Sequence, residues 1–424
     1  MEKEPKINLV SVNMGYGHQR TAFPLNFLAF EGRAIQANDY PGIPKKDRQI
    51  WQGARAFYET VSRFKKVPLV GELTFYLFDR FQRILSFYPR QDSSEHNFQL
   101  KQIYSFVERG WGRDLINKCR TRGEAIPLVS TFFTPVFMAE TFNYPGEIFC
   151  IICDADIART WAPLNPETSR IKYFAPNLRV AERLKLYGVK EENVFLTGYP
   201  LPLELTGRED LAILKNNLKN RLLNLDPKMK YRQAYQALVE KHLGQMSGGS
   251  DHPLTIMFAV GGAGAQKEIG IKIIRSLAGE IKSGQIKVIL VAGVKEKVKV
   301  YFQEHVANLP VEIIFAKKME DYFRLFNQAL AKTDILWTKP SELSFYSALG
   351  LPIIIAPPIG SQEEFNKRWL TKSGFGLLQE DPSHIRQWLF DWLDNGYLAE
   401  AAFQGFIEGE KLGTIKIKNI IARL

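Results

Sequence analysis

At 424 residues, 45% of them hydrophobic, the chain has material for two domains with ample core, and its three cysteines (Cys119, Cys150, Cys153) are too few for a disulfide framework. No window approaches the roughly 18 uncharged apolar residues of a membrane-spanning helix, and MEKEPKINLV is charged and then strand-like, unlike a signal peptide. A net charge of +11 calls for an anionic partner, either a phosphorylated ligand or an acidic membrane face; nucleic acid is set aside, because the basic residues are spread along the chain without a binding signature.

Ile7 to Asn13 reads as a buried strand, turned into a helix by Met14-Gly15-Tyr16-Gly17-His18-Gln19-Arg20-Thr21. Two glycines let the backbone turn tightly or approach a ligand. Arg20 stands where a dinucleotide fingerprint needs its third glycine, so NAD is discounted. Residues 43–123 form a long insertion of helical period, rich in Phe and Tyr and flanked by Arg and Lys. Within it Pro68 to Tyr88 reads equally as an amphipathic segment for a membrane interface and as an ordinary buried helical subdomain.

Further strands are read at Ile126 to Val129, Ile148 to Cys153, Arg170 to Ala175 and Asn193 to Leu196, with a helix over Val180 to Tyr187. Cys150 and Cys153 form a C-x-x-C pair inside one of these apolar runs; without a second pair they are read as buried strand residues. Thr206 to Gln245 is polar, basic and helical in character, and the linker Ser247-Gly248-Gly249-Ser250-Asp251 follows it. A second series opens at Thr255 to Val260 with a Gly-rich turn, Gly261-Gly262-Ala263-Gly264-Ala265-Gln266, and continues through strands at Lys287 to Val291 and Glu312 to Phe315. It leads into Thr333 to Gly374, which reads strand, polar turn, helix, strand, polar turn, helix. Such an order places hydrogen-bonding side chains at the carboxyl ends of neighbouring parallel strands, where open α/β sheets take ligands. The tail from Pro382 is helical, with an apolar face of Trp388, Leu389, Trp392 and Leu393.

Two halves that each open with a strand and a Gly-rich turn resemble a GT-B glycosyltransferase, most nearly the monogalactosyldiacylglycerol synthase and MurG group. The resemblance rests on Met14 to His18, on Asp154 to Trp161, on Tyr173-Phe174-Ala175-Pro176, and on Thr197-Gly198-Tyr199-Pro200. In the second half it rests on Val260 to Ala265, Lys339-Pro340, Gly350-Leu351-Pro352, and Gln362-Glu363 with Asn366. It implies an α/β fold of two Rossmann-like doubly wound domains facing a cleft, with the helical insertion in the first. The expected layout is an acceptor-side domain over 1–205, a helical linker over 206–250, a nucleotide-sugar domain over 251–385, and C-terminal helices over 386–424 packing back across the junction. The implied activity is metal-independent transfer of a hexose from a nucleotide sugar, UDP-linked, to a lipid or membrane-presented acceptor. Alternatives on the same scaffold are a nucleotide-sugar epimerase or hydrolase, and a non-catalytic binding relative. Localisation would be cytoplasmic, peripheral at the inner membrane face. No cofactor is expected.

Inverting transfer needs a base for the acceptor hydroxyl and stabilisation of the leaving diphosphate. His18 is the candidate base, though it reads equally as a plain helix-start residue, and Asp154 is the second candidate, as base or as orienter of His18. The acceptor side is expected to draw on Gly15, Tyr16, Gly17, Arg159 and Trp161. The diphosphate is expected on the backbone of Gly261, Gly262, Ala263 and Gly264, helped by Gln266 and Lys339, with Ser341 nearby. Gln362, Glu363 and Asn366 would bind sugar hydroxyls, or merely cap a helix. Asp154-Ala155-Asp156 also spells a metal-binding Asp-x-Asp, which belongs to a different fold and is set aside. One departure stands out. Families of this kind hold the donor ribose with a Glu five residues before the Gly of Gly-Leu-Pro, and here that place is Phe345, or Ser347 with a two-residue gap. Glu342 is the nearest carboxylate.

Overall fold

A computed structural model describes residues 5–53, 84, 86–122, 126–246, 248–261, 264–306 and 308–424. The chain divides into two compact units. The first comprises 1–200, 359–365 and 412–424; the second comprises 201–358 and 366–411.

The first unit is built on a six-stranded parallel sheet of β1 (Asn8–Ser11), β2 (Ile35–Gln36), β3 (Leu128–Ser130), β4 (Ile148–Ile151), β5 (Lys172–Ala175) and β6 (Val194–Leu196). Its order is β2-β1-β3-β4-β5-β6. The inner strands β1, β3 and β4 are short apolar runs because both faces are covered, as parallel sheets require. One core gathers Ile7, Leu9, Leu25, Leu28, Val129, Phe149, Ile151 and Phe174, together with Ile417 and Ile421 of the last helix, Gly413–Ile421. Phe149 and Phe174 stack across β4 and β5 with ring centroids 4.8 Å apart.

The described part of the insertion contains helices at Phe98–Glu108 and Arg113–Arg120, preceded by an irregular stretch over 86–97. Tyr104 of the first helix stacks on Phe137 at 5.2 Å, and Asp47 accepts from the Gly112 amide at 3.0 Å. Most of Pro68 to Tyr88 lies outside the described residues. No described helix is long and apolar enough to cross a membrane.

The second unit has its own six-stranded parallel sheet: β7 (Leu254–Ala259), β8 (Ile286–Gly293), β9 (Glu312–Phe315), β10 (Ile335–Thr338), β11 (Ile353–Ile355) and β12 (Gly376–Leu378), in the order β12-β11-β10-β7-β8-β9. The helix Lys267–Ser276 packs closely on it: a Cβ on Gly270 would stand 2.9 Å from Phe258. The linker helix Ala212–Leu225 belongs to this unit and is pinned by Arg221. That buried guanidinium donates to the carbonyls of Thr333 (2.8 Å) and Leu349 (2.7 Å), and burial pulls its pKa down to about 10. Both units are thus Rossmann-like, as the sequence led one to expect.

Candidate functional site

In each sheet the strand order reverses once, between β1 and β3 in the first and between β7 and β10 in the second. The carboxyl ends of those strands are where an open α/β sheet leaves a crevice. Residues singled out in the sequence fall at both places.

In the first unit β1 runs out at Ser11, and Gly15 then adopts φ 105°, which a residue with a Cβ rarely reaches. That turn starts the short helix Tyr16–Ala22, so His18 sits beside the exit of β3. Its Nδ1 lies 2.8 Å from the Thr131 carbonyl oxygen, just past β3. A carbonyl only accepts, so Nδ1 carries the hydrogen and the neutral ring keeps its lone pair on Nε2. Cys153 Sγ, just past β4, stands 3.4 Å from the same Nδ1. Phe132 meets the His18 ring edge-to-face at 4.9 Å, and Trp161 lies 6.3 Å away. Three neighbouring strand ends thus converge on one imidazole. Sequence reasoning missed Thr131 and Phe132 and read Cys153 as filler; the signal was their position at the ends of apolar runs.

Asp154 follows Cys153, partly buried, on a loop that is firmly held. Asn177 donates to the Ala155 carbonyl at 3.2 Å, and Tyr187 donates to that of Ile157 at 2.8 Å. The main anchor is Asp156. One carboxylate oxygen accepts from Arg183 Nε and the Ile157 amide, and the other from Arg183 Nη2 and Arg179 Nε, at 2.9–3.0 Å. Burial opposes charge on Arg183, yet Asp156 outweighs it and raises the pKa of the guanidinium. With Asp156 committed to two arginines, the Asp-x-Asp spelling does not offer two available carboxylates.

Of the expected acceptor-side residues, Tyr16 and Trp161 are buried, Gly17 is partly buried and Gly15 is exposed. Trp161 packs edge-to-face on Phe133 at 5.2 Å. Arg159 is buried, and its guanidinium donates to the Ser94 and Ala162 carbonyls at 2.7–2.9 Å. It therefore holds backbone together.

In the second unit β7 ends at Ala259 and β10 at Thr338, whose hydroxyl donates to the Ala259 carbonyl at 3.1 Å. The next residue, Lys339, lays its side chain across Gly261: a Cβ there would stand 2.1 Å from Lys339 Cε. Gly261 thus leaves the room that the Lys339 side chain occupies. Gly264, at φ 70°, donates its amide to the Gly261 carbonyl at 2.7 Å. Gly262 and Ala263 lie outside the described residues. Gln266, also in the left-handed region at φ 65°, donates to the Pro357 carbonyl beyond β11 at 2.8 Å.

The segment after Lys339-Pro340 is a 3-10 helix, Glu342–Leu349, with Ser341 as its N-cap. Glu342 and Phe345 are both buried. Phe345 packs on Trp369, ring centroids 5.0 Å apart, so an aromatic contact occupies the place of the expected carboxylate. Glu342, one turn earlier, is the carboxylate this helix offers. Asn366 is buried and donates to the Pro340 carbonyl at 3.3 Å. Glu363 and Gln362 belong to the segment 359–365, assigned to the first unit, and Glu363 accepts from the Ile359 amide at 2.7 Å as a local helix cap. Gln362 is partly buried.

A family model described as a domain of unknown function (DUF6938) matches residues 245–333, a stretch holding β7, β8 and β9. No curated protein matches the chain. Among solved structures the chain is similar to UDP-GlcNAc 2-epimerase from Neisseria meningitidis bound to UDP-GlcNAc, at 14% identity over 83% of this chain and 88% of that one, TM-score 0.45. A co-structure of S. aureus MnaA with UDP is similar at 11% identity over 99% and 96%, TM-score 0.46. MurG from Acinetobacter baumannii is similar at 13% identity over 77% and 78%, TM-score 0.43. Likeness at this level assigns no substrate and no residue role.

Proposed function

We propose that the chain is a glycosyltransferase that moves a sugar from a nucleotide sugar, UDP-linked, to a hydroxyl acceptor. The observation that carries this reading is the fixed tautomer of His18, held through Nδ1 by the Thr131 carbonyl at a strand-order reversal. Nε2 is then the basic nitrogen. It takes the acceptor proton as the acceptor oxygen bonds to the anomeric carbon, while the bond to the diphosphate breaks and its electron pair leaves on the nucleotide. Asp154, on its anchored loop, orients the acceptor or the imidazolium. In the second unit, Lys339 over Gly261 supplies positive charge for the departing diphosphate. Glu342 takes the ribose in place of the carboxylate that Phe345 lacks.

The acceptor is proposed to be a lipid or membrane-presented molecule, in keeping with the +11 charge and the aromatic, basic stretch from Pro68 to Tyr88. Vesicle flotation tests this part: enrichment with anionic vesicles that is lost on deleting Pro68 to Tyr88 supports it, and no enrichment refutes it. Phe345, buried on Trp369, favours one second reading, a non-catalytic nucleotide-sugar binder. Assay of His18→Ala separates the two. An enzyme loses turnover while keeping nucleotide affinity, whereas a binder shows no turnover in either protein.

A further inference from the structure

We propose that Cys153 is a positioning residue that sets how readily His18 takes up a proton. The inference rests on the reading of His18 as the base.

Two groups from different strand ends meet one nitrogen. The Thr131 carbonyl fixes which ring nitrogen carries hydrogen, and Cys153 Sγ lies within reach of that same N–H, at 3.4 Å. Cys153 is buried at the end of an apolar strand, so its sulfur is held against the ring by packing. A thiol is also the acceptor least costly to bury there, since a hydroxyl at the same place would demand a second partner. When Nε2 gains a proton, positive charge spreads over the whole ring and Nδ1–H becomes a stronger donor. The sulfur lone pairs then stabilise the imidazolium more than the neutral ring. Cys153 thereby raises the proton affinity of His18 without touching substrate. The charged or titratable groups on the elements around His18 are Cys150 on β4, Asp154, Asp156 and Arg159 on the β4 loop, and Tyr16 and Arg20 on its own helix; Asp156 is bonded to Arg179 and Arg183 and Arg159 to backbone carbonyls, while Thr131, Phe132 and Trp161 carry no charge. These groups are the same in every Cys153 variant, so a change at Cys153 is read on a constant background.

The test is direct NMR titration of the His18 imidazole in the full chain, assigned with His18→Gln, in wild type and in Cys153→Ala, Cys153→Ser and Cys153→Asp. Loss of the sulfur in Cys153→Ala lowers the His18 pKa by roughly half a unit, the size of one weak hydrogen bond. Cys153→Ser, whose shorter bond draws the acceptor back, lowers it by less. Cys153→Asp raises it by about one unit or more. The acid limb of the transfer rate profile moves in step with each. A His18 pKa that stays put in the Ala and Ser variants overturns the proposal, even if turnover falls. Should Cys153→Asp fail to fold, the ordering of wild type, Ser and Ala still decides. Movement of the His18 pKa in a protein that transfers no sugar leaves the positioning intact and sinks the reading of His18 as a catalytic base.

Discussion

Asp154 and Asp156 are separated by one alanine, and their environments give them opposite burdens. Asp156 is buried and bonded to two guanidiniums, so Asp156→Asn leaves Arg183 with a broken partner in a dry site. That should lower stability by about 3–5 kcal/mol in chemical denaturation. Asp154→Asn, at a partly buried position, should leave stability within about 1 kcal/mol and reduce transfer instead. The two variants measured side by side check both statements. Gly261 gives a second pair. Adding a methyl there forces Lys339 aside, so Gly261→Ala and Lys339→Ala should each weaken nucleotide binding by roughly tenfold or more. Because one cause underlies both, the double variant should be little worse than either single one, which isothermal titration can establish. Residue types at strand ends were legible in the sequence, and so was an aromatic residue, Phe345, at the place where the resemblance expects a carboxylate. What a side chain holds was less so. Arg159 reads as a cation for a ligand, yet its partners are the carbonyls of Ser94 and Ala162, and a backbone carbonyl has no signature in sequence.

At the scale of elements, ten of the twelve described strands are visible as apolar runs, most of them because a parallel strand buried on both faces has no alternating polar residues to hide it. The two that escape are β2, only Ile35–Gln36, and β12, Gly376–Leu378, both short edge strands with too little sequence to show a pattern. The segment after β10 reads as a helix and is one, though of the tighter 3-10 kind, which the same apolar spacing does not distinguish. The amino ends of β7 and β10 carry a polar network that sequence could not assemble. Buried Asp334 accepts from the Thr255 amide (2.8 Å), Asn224 (2.9 Å) and His252 Nε2 (3.1 Å), while His252 Nδ1 faces Asp251. Burial disfavours charge on His252, but the two carboxylates outweigh it and raise its pKa above the ordinary 6.5. A raised folded pKa means that His252 contributes stability fully below about 6.5 and loses it as pH rises through the folded value. The melting temperature should therefore fall over that window in the wild type and fall less in His252→Asn. Equal slopes in the two proteins would show that the network does not carry this linkage.

For the molecule as a whole, each of the two Rossmann-like units holds residues singled out in the sequence beside its own strand-order reversal. The first carries an imidazole held in one tautomer by a backbone carbonyl; the second carries a lysine laid over a glycine. Nucleotide-sugar recognition by the second unit is the claim on which the rest depends. Calorimetric titration of the full chain with UDP, UDP-sugars and GDP-sugars, repeated on Lys339→Ala, tests it most directly. The account predicts saturable binding of UDP and at least one UDP-sugar, weakened roughly tenfold or more by Lys339→Ala, together with about 2.7 kcal/mol of added stability at a hundredfold excess over the dissociation constant. Absence of binding across the whole panel, or binding that Lys339→Ala leaves untouched, would contradict it.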